Sequence, residues 1–207
     1  AASEAEVLVL SVKPQYYAET IAEIRDYVRE DQIIITIAPG KTLSWLGEQF
    51  GKSVKIVRTM PNTPALVGEG MTAACVNEYV TEEERAYALK ILSSFGKVEF
   101  VPENLIDAVV AVSGSAPAYV FMFIEAMADA AVAEGMPRAQ AYQFAAQAVY
   151  GSAKMVMETG KHPGELKDMV CSPAGTTIEA VAVLEERGLR SAVIEAMRVC
   201  AEVSRTM

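Results

Sequence analysis

Four short segments hold the residues whose types and spacing can do chemistry. Ser11-Val12-Lys13-Pro14 places a hydroxyl and a cation directly after an apolar run; it also reads as an ordinary turn with a solvated lysine. Met60-Pro61-Asn62-Thr63-Pro64 holds two short polar arms between two prolines. Prolines fix φ, so such a loop either presents an amide to a ligand at little entropic cost or is simply a rigid turn. Ser113-Gly114-Ser115-Ala116-Pro117 and Cys171-Ser172-Pro173-Ala174-Gly175-Thr176-Thr177 each lead into a helical pattern. Small residues at a helix start leave backbone N–H groups open to an anion, and those of Gly175, Thr176 and Thr177 can converge on a carboxylate. Each turn by itself is equally a cap or a tight corner. Two of them in one helical region favour anion binding more than either does singly.

The elements that must position these loops are legible from periodicity. Val7–Leu10, Ile33–Ile37 and Val54–Val57 are short apolar or β-branched runs separated by helical spacing at Tyr17, Ile21, Ile24 and Val28 and by a helix capped at Thr42. That β-α-β-α-β order predicts a parallel sheet with helical cover. Met71–Val76 reads as a further strand, Thr81-Glu82-Glu83-Glu84 as a capping box, and Val98–Val101 as the strand that closes the sheet region. Beyond about Pro102 strand signals vanish. Helices are expected from Pro117 to Gly135, from Pro137 to about Thr159, from Gly175 to Glu186 and from Leu189 to Ser204, with a short piece near Glu165–Val170. The fold class expected is α/β plus all-α: a parallel sheet with helical cover over 1–102, then a helical region over 103–207.

Composition excludes several classes. The chain has 207 residues and 52% hydrophobic content, enough for a real core and too apolar for disorder. Its net charge of −9, from 18 basic and 27 acidic residues with no basic stripe, makes nucleic acid and anionic membrane poor partners. The charge-free run Ala108–Ile124 is interrupted by Ser113, Gly114, Ser115 and Pro117 and is not expected to span a membrane. The start Ala1-Ala2-Ser3-Glu4 lacks the basic region of a signal peptide, and the first residue is not Met, so the chain is expected to begin inside a longer protein. Cys75, Cys171 and Cys200 are odd in number and widely spaced, which predicts reduced thiols of a cytoplasmic protein. His162, beside Pro163, reads as a cap or loop residue, and no histidine metal site can be built from it alone. There is no Ser-His-Asp signature, G-x-S-x-G, P-loop or G-x-G-x-x-G in these residues.

In this order, the four loops resemble those of the pyrroline-5-carboxylate reductase family. The matching stretches are Ser11–Pro14, Met60–Gly70, Asp107–Tyr119 and His162–Ile178, and the likeness runs from about Val7 to the end. The resemblance implies an N-terminal Rossmann domain and a helical domain that intertwines with a second subunit: a homodimer, with a decamer as the larger ring. It implies hydride transfer from NADPH or NADH to the C=N carbon of 1-pyrroline-5-carboxylate, giving L-proline. Such a reaction asks the protein to position, to bind a carboxylate and to assist one proton. By position, Ser11, Val12, Lys13, Pro14, Pro39 and Gly40 would line the cofactor crevice, and Met60, Pro61, Asn62 and Thr63 would lie by the nicotinamide. Gly175, Thr176 and Thr177 would hold the substrate carboxylate, Thr177 would also bond the ring nitrogen and relay its proton, and Ser115 and Glu103 would border the substrate.

Three departures are visible. The family's glycine-rich phosphate loop has no counterpart after Ala1, so an upstream segment, or weak cofactor binding by these residues alone, is expected. Ala116 and Ala174 replace family glycines, and a positive φ at Ala174 would cost on the order of 1–2 kcal/mol. Pro39 replaces a common alanine and removes a donor. Two other readings remain: a truncated, catalytically impaired oligomeric protein, and a β-hydroxyacid dehydrogenase-like enzyme using Lys154 or Lys167, neither of which sits in that family's motif.

Overall fold

The computed structural model describes residues 2–206. Five strands form one sheet in the order β1-β2-β3-β4-β5: β1 (Val7–Leu10), β2 (Ile33–Thr36), β3 (Lys55–Met60), β4 (Gly70–Val76) and β5 (Gly96–Phe100). The first three are parallel, as their β-α-β-α-β pattern requires. The β3–β4 ladder is antiparallel, a direction the sequence pattern left open, whereas β4–β5 is parallel again. The connections explain the difference. A parallel return needs a crossover of about a dozen residues or more. Between β3 and β4 stands only a short turn around the 3-10 segment Thr63–Val67, so the chain can only double back. Between β4 and β5 the helix α3 (Glu82–Leu92) makes a full crossover.

Strand alternation sorts the core. Ile34 and Ile56 face α1 (Tyr17–Ile24) and α2 (Leu43–Phe50), packing with Leu10, Tyr17, Ile21, Leu46 and Phe50. Ile33, Ile35 and Val57 face the other way, toward Ala88 and Leu92 of α3. All four residues of β2 are buried, so this strand lies inside the sheet with both faces covered. The capping box is present: the Thr81 hydroxyl accepts from Glu84 N–H and the Glu84 carboxylate accepts from Thr81 N–H. The helix α2 begins as read, with the Thr42 hydroxyl accepting from Trp45 N–H at 3.1 Å.

The helical half contains α4 (Ile106–Val109), α5 (Ala116–Ala133), α6 (Arg138–Thr159), α7 (Pro163–Val170), α8 (Thr176–Glu186) and α9 (Leu189–Arg205). By contacts the chain divides into two compact units, Ala1–Pro117 with Met197–Met207, and Ala118–Ala196. The second unit is small-residue rich inside, where Ala128, Ala141 and Ala145 are buried, and apolar outside, where Phe121, Met122, Phe144 and Met169 are each more than 60% exposed.

The helix α5 begins at Ala116, so Pro117 lies in its first turn as expected. What the sequence does not show is the π-type turn Val110–Gly114 directly before it, within a helical stretch that runs from Glu103 to Ala133. Ser115 N–H donates back to Val110 C=O at 2.8 Å. Pro117 has no N–H to give to the Ser113 carbonyl, so an ordinary helix cannot close there. A one-residue widening absorbs the mismatch, a form that recurs at functional sites. This helix is long and apolar enough to cross a membrane by length and composition.

Candidate functional site

The loops after β1, β2 and β3 lie at one edge because those strands are parallel and adjacent. In open α/β sheets that carboxyl edge is where ligands bind. Ser11, Val12 and Lys13 are exposed there, and Pro14 opens a short 3-10 turn that leads into α1. Pro39 and Gly40 follow β2, with Gly40 at φ 73°, a conformation that turns the backbone sharply before α2. Met60 ends β3, and Pro61, Asn62 and Thr63 enter the 3-10 turn. The structure therefore brings together all three groups of residues expected to line a cofactor crevice. The donor set suits a dinucleotide: a hydroxyl at Ser11, a cation at Lys13 and a glycine-turned backbone at Gly40.

The Asn62 side chain is bonded within the protein. Its side-chain Oδ1 accepts from Met71 N–H at 2.9 Å, and its Nδ2 donates toward the Ser113 carbonyl at 3.3 Å and the Ser113 hydroxyl at 3.2 Å. The carbonyl that Pro117 leaves without a helical donor is thus taken by Asn62, and the amide braces the Pro61–Pro64 loop. Met60 is part of the same seam. A Cβ on Gly114 would lie 2.6 Å from Met60 Cε, so the glycine lets β3 and the π-turn approach closely. Ser115 has its N–H engaged by Val110, which withdraws it from the open helix start expected, and its hydroxyl accepts from the Cys200 thiol at 3.2 Å.

Glu103 lies on the sheet-bearing unit and is a structural acceptor. Its Oε1 receives Leu43 N–H at 2.7 Å and Arg58 Nη1 at 2.7 Å. Arg58 is 4% exposed, inside β3 beside Thr36 and Cys75 in the sheet register. Cys75 packs with Ala73 and Ile106. Burial pushes its thiol up to about 11, the Glu103 charge adds to the rise, and Arg58 opposes it.

Gly175, Thr176 and Thr177 belong to the second unit. Gly175 N–H is not available for a carboxylate: it donates to the Ser172 carbonyl at 3.1 Å. Pro173 then occupies the second position of a tight turn and Ala174 the third, with φ 54°, the signature of a type II turn. A Cβ at Gly175 would lie 2.3 Å from Ser172 Oγ, so this position admits only glycine without rearrangement. Gly175 is the N-cap of α8, and Thr176 and Thr177 are its first two residues. Their N–H groups have no acceptor inside the helix and point out of its positive end. His162 caps α7, accepting Gly164 N–H on Nδ1 at 3.1 Å.

Sequence reasoning missed Tyr17. It was read as one apolar position of an amphipathic helix, and its ring is indeed fully buried. Its hydroxyl, however, donates to Leu10 C=O at 2.5 Å and accepts Ile37 N–H at 3.2 Å. Burial raises its pKa, against two smaller lowering contributions from the Ile37 and Ala38 backbone.

Comparison with known proteins bears on the family and the fold. Residues 103–207 match the family described as pyrroline-5-carboxylate reductase dimerisation. The pyrroline-5-carboxylate reductase of Escherichia coli K12 is 59% identical over 200 residues, 97% of this chain and 74% of the relative. That of Methanosarcina acetivorans is 44% identical over 204 residues, 99% of this chain and 76% of the relative. The crystal structure of Plasmodium falciparum pyrroline carboxylate reductase with NADP bound superposes with a TM-score of 0.93 at 33% identity, covering 99% of this chain and 78% of that one. The chain belongs to the pyrroline-5-carboxylate reductase family.

Proposed function

We propose that the protein reduces 1-pyrroline-5-carboxylate to L-proline with hydride from NADPH or NADH, the last step of proline biosynthesis. The observation that carries this is the 59% identity to the Escherichia coli reductase across 97% of the chain. The NADP-bound relative of the same fold supports the choice of cofactor. Ser11–Pro14, Pro39–Gly40 and Met60–Thr63 hold the dinucleotide at the carboxyl edge of the parallel strands. The N–H groups of Thr176 and Thr177 hold the substrate carboxylate at the positive end of α8. The Thr177 hydroxyl bonds the ring nitrogen, which gains basicity as hydride arrives, so the bond strengthens in the transition state. Ser115, directly after the π-turn, borders the substrate. Glu103 borders the substrate and also holds the β2–α2 loop by accepting Leu43 N–H.

The working unit is a homodimer, with a decameric ring as the larger assembly, in the cytoplasm. The dimerisation match over 103–207 supports the dimer. So do the exposed Phe121, Met122, Phe144 and Met169, an apolar surface larger than a monomer ordinarily leaves in water. Spectrophotometric oxidation of NADPH dependent on pyrroline-5-carboxylate, with L-proline identified as product, tests the function. Turnover of 3-hydroxyisobutyrate in its place would assign the β-hydroxyacid dehydrogenase chemistry. Turnover of neither, with dimers still forming, would leave an impaired oligomeric protein.

A further inference from the structure

We propose that Tyr17 is a positioning residue of the cofactor crevice. Its hydroxyl sets the spacing of the two loops that follow β1 and β2, and Glu103 fixes the far end of the second loop. This rests on the cofactor reading above.

The sheet register shows where the hydroxyl acts. Leu10 and Thr36 are the last partners of the β1–β2 ladder. Beyond them the strands have no further rung, and their loops diverge. At that point the Tyr17 hydroxyl bonds Leu10 C=O and Ile37 N–H together, one group from each strand. It stands in for the missing rung. Ser11 starts one residue beyond the first of these anchors, and Ala38-Pro39-Gly40 directly beyond the second. The ring supplies core packing against Ile21, Leu46 and their neighbours, which phenylalanine could also supply. The hydroxyl alone does the bridging.

The other end of the second loop is held independently. Leu43 N–H, at the first turn of α2, donates to Glu103 Oε1, and the same oxygen receives buried Arg58. The Ala38–Thr42 segment is therefore pinned at Ile37 and at Leu43. A ligand that meets a pinned loop does not have to order it, and affinity is gained by that pre-organisation. Loss of a pin populates loop states that do not bind, and apparent affinity drops by the competent fraction.

Tyr17→Phe in the intact enzyme isolates the hydroxyl. The KM for NADPH should rise roughly 3- to 30-fold, while kcat at saturating cofactor and the KM for pyrroline-5-carboxylate stay within about threefold of wild type. Glu103→Gln keeps an acceptor for Leu43 N–H but removes the charge facing Arg58, and it should shift the same constant in the same direction. A purely structural hydroxyl would lower the Tm and leave the cofactor KM unchanged when assayed well below that Tm; that result overturns the proposal. A raised KM for the imine with normal cofactor KM overturns it too. Direct fluorescence titration with NADPH separates the two levels. Wild-type binding without imine reduction refutes the function and leaves the clamp standing if Tyr17→Phe still binds more weakly. Unchanged titration in an active Tyr17→Phe refutes the clamp alone, and no binding by wild type refutes both.

Discussion

Ala174→Gly should stabilise the protein. Ala174 sits at φ 54°, and among the described residues it is the one non-glycine with positive φ. Its Cβ is exposed, so strain there is backbone strain and not packing. The left-handed conformation costs an L-residue with a Cβ about 1–2 kcal/mol. Glycine removes that strain but gives the unfolded chain more freedom, which costs about 0.4–1 kcal/mol in return. The expected net is a gain of about 0.5–1 kcal/mol, or roughly 1–4 °C in Tm for a chain of this size. Denaturant unfolding of both proteins at equal protomer concentration reads the difference, since dimer dissociation would otherwise enter. Gly175 N–H should keep its bond to Ser172 C=O in the variant, because glycine is the residue this turn position favours. Catalytic rate should therefore change little. A loss of 0.5 kcal/mol or more would refute the reasoning, because it would mean that the alanine methyl group contributes more than the φ strain removes.

Thr177→Val retains the shape and the backbone donor at the start of α8 and deletes only the hydroxyl; kcat should fall roughly 10- to 1000-fold with cofactor affinity unchanged, and full activity would remove Thr177 from the proton path. Cys75, 6% exposed, should resist iodoacetamide at pH 8 while Cys171 and Cys200 react, as mass spectrometry of alkylated peptides can show. The same thiol predicts a pH effect. Its folded pKa of about 11 lies above its ordinary 9.0, so its stabilising contribution is complete below pH 9 and is lost as pH rises from there through 11. The loss amounts to about 3 kcal/mol, and Cys75→Ala should flatten that part of the stability–pH curve.

How much of this was legible in the sequence depended on whether the cause was local. The three parallel strands, the Thr42 cap and the Thr81 capping box were all readable, because each rests on residues within a few positions. The strain at Ala174 was readable as well, once the turn was seen to want glycine. The π-turn at Val110–Gly114 was not. Pro117 marks the start of α5 but says nothing of the turn before it; the Ser113 carbonyl there is met by Asn62, 51 residues away from Ser113. The structural bonds of Glu103 and Tyr17 were hidden for the same reason. Their partners, Leu43 at a separation of 60 and Ile37 at 20, are set by tertiary contacts.

Three side chains whose protein bonds the sequence did not show share a role that bears on the lack of a catalytic constellation. Asn62, Glu103 and Tyr17 are polar groups near the crevice, and each bonds to protein: Asn62 to Ser113 and Met71, Glu103 to Leu43 and Arg58, Tyr17 to Leu10 and Ile37. In an enzyme whose reacting electrons come from a cofactor, the protein's contribution is position and field, and both demand that loops be held before the ligands arrive. Loops after parallel strands lose their ladder bonds where the ligands must sit. Side-chain struts can replace those bonds without occupying the crevice. Buried polar networks of this kind specify one arrangement when each member has its partner. The positions expected to touch ligand are small hydroxyls, Lys13, and backbone at Gly40, Thr176 and Thr177.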